Sequence, residues 1–195
     1  MSKIVGVLSV QGDFREHLET LGELDCQPRA VKTAEAIAAC DALVIPGGES
    51  TTIAKLCERF ELDVPIRALH ERGAPIWGTC AGMILLAREI VGSDQWRLGL
   101  MDITVARNAF GRQVDSFETD LAVDGIEGGP VRAVFIRAPY VRDADEGAGV
   151  AVLARFQGKI VMCRQGNLLA TAFHPELTDD RRVHQYFLDM ANGGG

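Results

Sequence analysis

Cysteine and histidine are scarce in this chain of 195 residues, and basic charge is outweighed by acidic. The cysteines, Cys26, Cys40, Cys57, Cys80 and Cys163, are odd in number, far apart and never paired as Cys-x-x-Cys. That spacing suggests neither a disulfide framework nor a zinc site. They are expected to be reduced, and most of them buried. With only His17, His70, His174 and His184 available, any base working near neutral pH comes from a short list. Twenty Lys and Arg against 27 Asp and Glu leave a net charge of −7, the wrong sign for gripping nucleic acid or an anionic membrane. No apolar run approaches the roughly 20 residues of a membrane span, and Ile4 to Leu8 is too short for a signal core. Internal repeats and long linkers are also missing. The expectation is one cytoplasmic domain over residues 1–191, with Asn192 to Gly195 as a flexible tail.

What is present alternates. Lys3 to Val10 reads as a buried strand, and Phe14 to Leu24 carries Phe14, Leu18, Leu21 and Leu24 at helical spacing. A strand at Arg29 to Val31, a helix over Ala34 to Ala39 and a strand at Ala42 to Ile45 follow, the last stopped by Pro46-Gly47-Gly48. Helices over Thr52 to Phe60 and Val64 to Glu71 lead to the strand Pro75-Ile76-Trp77, then Gly78 to Gly82 and an apolar helix through about Val91. Beyond Gly99 the segments shorten: Asp102 to Ala106, Ser116 to Val123, Val131 to Ile136, Val150 to Phe156, Lys159 to Cys163 and Leu168 to Phe173 read as strands. Asp179 to Met190 closes the chain as an amphipathic helix. Strands joined by crossover helices predict an α/β fold, a mixed and mainly parallel sheet with helices on both faces, finished by antiparallel strands. Ligands bind such sheets at the carboxyl ends of the strands.

The turns at those ends carry the chemistry. Gly78-Thr79-Cys80-Ala81-Gly82 is the Gly-x-nucleophile-x-Gly elbow with sulfur as nucleophile. A helix starting just after Cys80 favours a thiolate through its partial positive charge. The same spacing also suits a buried cysteine between two packing glycines. His174 stands at the end of an apolar strand, Pro175 biases it towards extended backbone, and Glu176 two residues on can point to the same side. A thiolate needs such a base and a carboxylate to orient it. His17, His70 and His184 fall in charge-rich helical patterns and read as solvated or half-buried side chains. Pro46-Gly47-Gly48-Glu49-Ser50-Thr51-Thr52 lacks the lysine of a phosphate loop, and Glu49 would repel a phosphate. It suits either a ligand with an oxyanion and an ammonium group, or a plain turn capped by Ser50. Arg107, Arg112 and Arg137 are candidates for holding a substrate carboxylate, or surface ion-pair residues.

Thiolate, imidazole and carboxylate above such a sheet fit acyl transfer through a thioester. On Gly78 to Gly82 and His174-Pro175-Glu176 the sequence resembles the class I, triad-type glutamine amidotransferases, which share a flavodoxin-like three-layer fold. Gly6 to Gly12, Pro46 to Thr52, Gly111 to Phe117, Phe135 to Pro139 and Phe173 to Thr178 narrow the likeness to the glutaminases of pyridoxal 5′-phosphate (vitamin B6) synthases. The resemblance implies Cys80 as nucleophile, His174 as proton carrier and Glu176 as its orienter. It implies glutamine binding by Gly48, Glu49, Ser50, Arg107, Ile136 and Arg137, and an oxyanion hole from the N–H groups of Ala81 and of Gly47-Gly48. Gln11 is expected near the interface with a barrel-shaped synthase subunit, many copies of each forming one large assembly. No metal or organic cofactor is implied. A glutaminase serving another synthase, such as the histidine-pathway enzyme, a silent regulatory module of this fold and a general cysteine hydrolase are the alternatives.

Overall fold

The computed structural model describes residues 2–107 and 116–193. Its elements in chain order are β1 (Lys3–Leu8), α1 (Phe14–Gly22), β2 (Cys26–Val31), α2 (Ala34–Ala38), β3 (Ala42–Ile45), α3 (Ser50–Arg59), α4 (Asp63–Glu71), β4 (Ile76–Thr79) and α5 (Ala81–Leu86). There follow β5 (Ala87–Ile90), β6 (Met101–Ala106), β7 (Ser116–Leu121), β8 (Val131–Ile136), β9 (Tyr140–Ala144), β10 (Val150–Phe156), β11 (Lys159–Gln165), β12 (Leu168–Thr171) and α6 (Arg182–Ala191). Ten strands make one sheet in the order β2-β1-β3-β4-β12-β11-β9-β6-β5, with β10 paired to β11; β7 and β8 form a separate antiparallel pair.

The first five strands of that order run parallel. Residues of β3, β4 and β12 are all buried, because these short apolar runs have helices above and below them. The crossover β1-α1-β2 runs one way along the sheet and β3-α3-α4-β4 the other, so right-handed connections put α1 on one face and α3 and α4 on the opposite one. A contact between His17 and His184 puts α6 beside α1. Strands β6 and β8 alternate buried with less buried residues, the mark of a sheet with one face in the core.

Two sequence expectations change. The apolar helix after the elbow ends at Leu86, and Ala87 turns to extended backbone (φ −60°, ψ 141°) to open β5, parallel to β6. Its continuation is displaced by a competitor more than ten residues on: the Leu98 N–H donates to the Leu85 carbonyl at 2.8 Å. Strand β9 is an addition to the strands expected from the sequence, and it carries the charged Arg142-Asp143. It is held between β11 and β6. The pair β7–β8 docks on the main sheet through stacked rings, Phe117 on Phe135 at 4.7 Å and Phe117 on Phe156 at 5.2 Å, with Phe135 tilted against Phe173 at 5.7 Å. No helix among the described residues is long and apolar enough to cross a membrane.

Candidate active site

Strand β4 ends at Thr79, and the chain reverses at once into α5. Cys80 adopts φ 48°, ψ −99°, a conformation that a non-glycine residue holds only when its surroundings enforce it. The two glycines do this. A Cβ on Gly78 would lie 2.4 Å from the Gly82 carbonyl, and one on Gly82 would lie 2.0 Å from the Ile45 oxygen of β3. The Cys80 N–H is fixed to the Thr171 carbonyl at 2.8 Å. The elbow is therefore present, and it leaves Cys80 at the N-terminus of α5, 9% exposed. The other cysteines lack that setting and form no disulfide: burial pushes the thiols of Cys57 and Cys163 up to about 12 and that of Cys26 to about 11. Cys40 is raised for the same reason.

His174 follows β12 and is 3% exposed. Its backbone N–H donates to the Val134 carbonyl of β8 at 2.8 Å, so the β7–β8 pair positions it directly. Its ring Nδ1 lies 2.7 Å from Glu176 Oε1, and with Glu176 ionised that nitrogen is the donor. Burial opposes a charge on His174, yet the neighbouring Cys80 and the hydrogen bond to Glu176 outweigh burial and hold its pKa above the ordinary imidazole value. Burial raises Glu176, with His174 pulling the other way. Asp13 adds a second carboxylate, its Oδ2 3.6 Å from His174 Nδ1. Asp13, His174 and Glu176 converge closely enough to suggest a cation site. The 2.7 Å approach of His174 to Glu176 is instead a direct hydrogen bond, with no opening for an ion between them.

The glycine turn after β3 packs against this pair. A Cβ on Gly47 would meet His174 Cε1 at 2.4 Å, so glycine is required where the turn passes the ring. Of the two readings of this turn, the plain one capped by Ser50 fails, because the cap is Glu49. Its carboxylate accepts from Thr52 N at 2.8 Å, Thr52 Oγ1 at 2.7 Å, Thr51 N at 3.2 Å and the Thr51 hydroxyl. Those bonds pull its pKa down to about 2. The Ser50 hydroxyl donates instead to Gln95 Oε1 at 3.3 Å, which also accepts from Arg107 at 3.3 Å. Gln11 Oε1 accepts from the Glu49 N–H at 3.0 Å.

A cavity of about 580 Å³ joins these parts: Gln11, Gly48, Glu49, Ser50, Cys80, Ala81, Arg107, Ile136, Arg137 and His174 all line it. Ala81 is the first residue of α5, so its N–H has no partner within the helix. Gly47 does not reach the cavity wall, and Glu176 stands behind His174. Arg112 and the Gly111 to Asp115 part of the expected motif lie outside the described residues. Sequence reasoning missed Asp13, Ile84 and Pro139 on the lining. Asp13 carried a usable signal, as the one acid of the turn that follows β1. His17 and His184 are corrected outright: both are 0% exposed, and they contact each other behind the site.

A thiol at a strained elbow and a buried imidazole–carboxylate pair, both at the carboxyl ends of parallel strands, are the layout of a thiol-dependent acyl-transfer enzyme on an α/β sheet. The chain belongs to the SNO glutamine amidotransferase family, which residues 7–192 match. It is 58% identical over 186 residues to pyridoxal 5′-phosphate synthase subunit PdxT of Moorella thermoacetica, covering 95% of this chain and 98% of that one. To the PdxT of Pelotomaculum thermopropionicum it is 60% identical over 191 residues, covering 98% and 96%. A solved structure described as a glutamine amidotransferase superposes with a TM-score of 0.91 at 51% identity, covering 96% of this chain and 98% of that one. PurLQS from Thermotoga maritima, at 18% identity and a TM-score of 0.74 over 97% of this chain and 99% of that one, shares the fold.

Proposed function

We propose that this chain is the glutaminase subunit of a pyridoxal 5′-phosphate synthase, hydrolysing L-glutamine to L-glutamate and ammonia and passing the ammonia to a synthase subunit. The observation that carries this reading is the convergence on one cavity of Cys80, His174 and the side chains expected to hold glutamine, in a chain 58% and 60% identical, over nearly its whole length, to two relatives named as pyridoxal 5′-phosphate synthase subunits.

The Cys80 thiolate attacks the side-chain carbonyl carbon of glutamine. His174 gives a proton to the leaving nitrogen, and ammonia departs from a thioester. Water then attacks the thioester with His174 taking its proton, the thiolate leaves, and glutamate is released. Glu176 keeps the His174 ring turned and favours its cation, which the 2.7 Å bond between them supports. The Ala81 N–H, at the positive end of α5, and the N–H of Gly48, the residue of the Gly47-Gly48 turn that lines the cavity, are the donors proposed for the oxyanion. Gly48, Glu49, Ser50, Arg107, Ile136 and Arg137 hold the amino-acid end of glutamine, the ionised Glu49 suiting its ammonium group and an arginine its carboxylate. Gln11 answers to docking of the synthase subunit, a role supported by its grip on the Glu49 N–H beside the cavity. The partner is a barrel-shaped subunit in a large hetero-oligomer. Five thiols, none in a disulfide, suit the reducing cytoplasm.

The test mixes the chain with the synthase subunit and follows glutamate and pyridoxal phosphate together. Glutamine hydrolysis should rise on mixing and vanish in Cys80→Ala. Indifference to that partner would overturn the assignment, and full activity in Cys80→Ala would overturn the nucleophile.

A further inference from the structure

His17 and His184 have no part in the chemistry above, yet they form a polar cluster with Thr79 and Glu176 in the buried interior. His17 comes from α1, His184 from α6, and Thr79 immediately precedes the nucleophile; all three are 0% exposed. His17 Nδ1 lies 3.0 Å from His184 Nε2, and His17 Nε2 lies 3.2 Å from Thr79 Oγ1 and 3.4 Å from Glu176 Oε2. Glu176 is therefore flanked by two imidazoles, His174 on Oε1 and His17 on Oε2. Its Oε2 is enclosed and makes no hydrogen bond of good geometry among the described residues. A buried carboxylate oxygen in that position is costly unless a donor faces it.

We infer that His17 is a positioning residue, whose Nε2–H is shared between Thr79 and Glu176 and steadies the carboxylate that orients His174, in a tautomer set by His184. Proton counting selects this arrangement. If His17 carries its proton on Nε2, its Nδ1 must accept, so His184 donates from Nε2 and leaves a bare lone pair on its own Nδ1. That Nδ1 is buried without a partner among the described residues, which an acceptor tolerates better than a donor. Shifting both protons would turn a lone pair of His17 towards the Glu176 oxygen and strand an N–H on His184. At 3.4 Å the His17–Glu176 approach is long for a hydrogen bond and acts as a charge–dipole attraction.

The cluster is also locked mechanically. Trp77 packs edge-on against both rings, with centroids 5.4 Å from His17 and 4.9 Å from His184, and its own N–H is tied to Thr171 at 3.1 Å. Burial holds both imidazoles neutral: His17 lies well below the usual value, and His184 falls to about 3. Neutrality matters here, because a cationic His17 would compete with His174 for the Glu176 carboxylate and repel the His174 cation. The charged groups facing the cluster are Asp13, His174 and Glu176 on the site side and Arg181 beside His184.

This inference rests on the triad reading, and its test separates the two. In the wild-type chain, long-range ¹H–¹⁵N correlation of the imidazoles should find His17 and His184 both protonated on Nε2 and not on Nδ1. A proton on His17 Nδ1 overturns the proposal, whatever the chain catalyses. With the synthase subunit present, His17→Leu should lose about tenfold or more in kcat with little change in KM for glutamine. The alkaline limb of its kcat/KM profile should move down by about half a unit, because a less steadied Glu176 supports the His174 cation less. His17→Gln, which can return an N–H near the Nε2 position, should recover most of the loss and the limb. Normal kcat and an unmoved limb in a folded His17→Leu would overturn the proposal, as would a loss in His17→Gln equal to that in His17→Leu. Absence of any glutamine hydrolysis in the wild type would instead sink the triad reading and leave the tautomer result standing.

Discussion

At Gly82 a single added methyl group would meet backbone, not a movable side chain: the nearest atom is the Ile45 carbonyl oxygen, 2.0 Å from where a Cβ would stand. Either β3 or the start of α5 must shift, and both carry the site, one leading into the Gly47-Gly48 turn and the other following Cys80. Gly82→Ala should therefore cost roughly 1–3 kcal/mol in urea unfolding. Its glutaminase activity should fall further than that loss of folded protein explains, and unchanged activity would mean the close approach is dispensable. This requirement was readable in the sequence, because the elbow places its glycines at fixed distances from the nucleophile. His174 and Glu176 were readable for a similar reason, lying two residues apart at a strand end. His17 was not. Its neighbours Arg15, Glu16 and Glu19 give α1 a charged pattern, and only the meeting of α1 with α6 turns that position inward.

Elements far apart in sequence converge on Arg182 at the start of α6. Its guanidinium donates to the carbonyls of Glu127 at 3.0 Å, Gly129 at 2.8 Å and Pro130 at 2.8 Å, and forks onto the Asp180 carboxylate. The loop it gathers leads directly into β8, which accepts the His174 N–H and ends at the cavity residues Ile136 and Arg137. A lysine offers three donors from one point and cannot span these acceptors. Arg182→Lys should lose roughly 1 kcal/mol of stability, reduced by its partly exposed position. Amide exchange should quicken over Val131 to Ile136, and KM for glutamine should rise while kcat holds; exchange unchanged there would disconnect Arg182 from the site. None of this was legible beforehand, since the acceptors are backbone carbonyls more than fifty residues away. The central strands were legible because their buried apolar runs are local, whereas the end of α5 and strand β9 depend on partners that periodicity cannot see.

Across the whole molecule, the neutral pair His17 and His184 makes folding sensitive to acid. Both pKa values are lowered by burial, so between about 6.5 and the folded values the unfolded chain takes up protons that the folded chain refuses. Their contribution is complete above about pH 6.5 and is lost as pH falls, at up to about 1.4 kcal/mol per pH unit for each histidine. Glu176 runs the other way: burial raises it, so just above its ordinary value the folded state holds a proton more readily than the unfolded one. His174 does not offset the pair in this window, because a raised pKa contributes stability fully present below the unfolded value and lost only on the alkaline side. Differencing isolates one histidine from the rest. In urea titrations at pH 5, 6 and 7, His184→Gln should be less stable than the wild type at pH 7. Its stability should then fall with acidification by about 1 kcal/mol per pH unit less steeply. Parallel slopes for the two proteins would mean that His184 takes up its proton in the folded state, and that the cluster behind Glu176 is not held neutral.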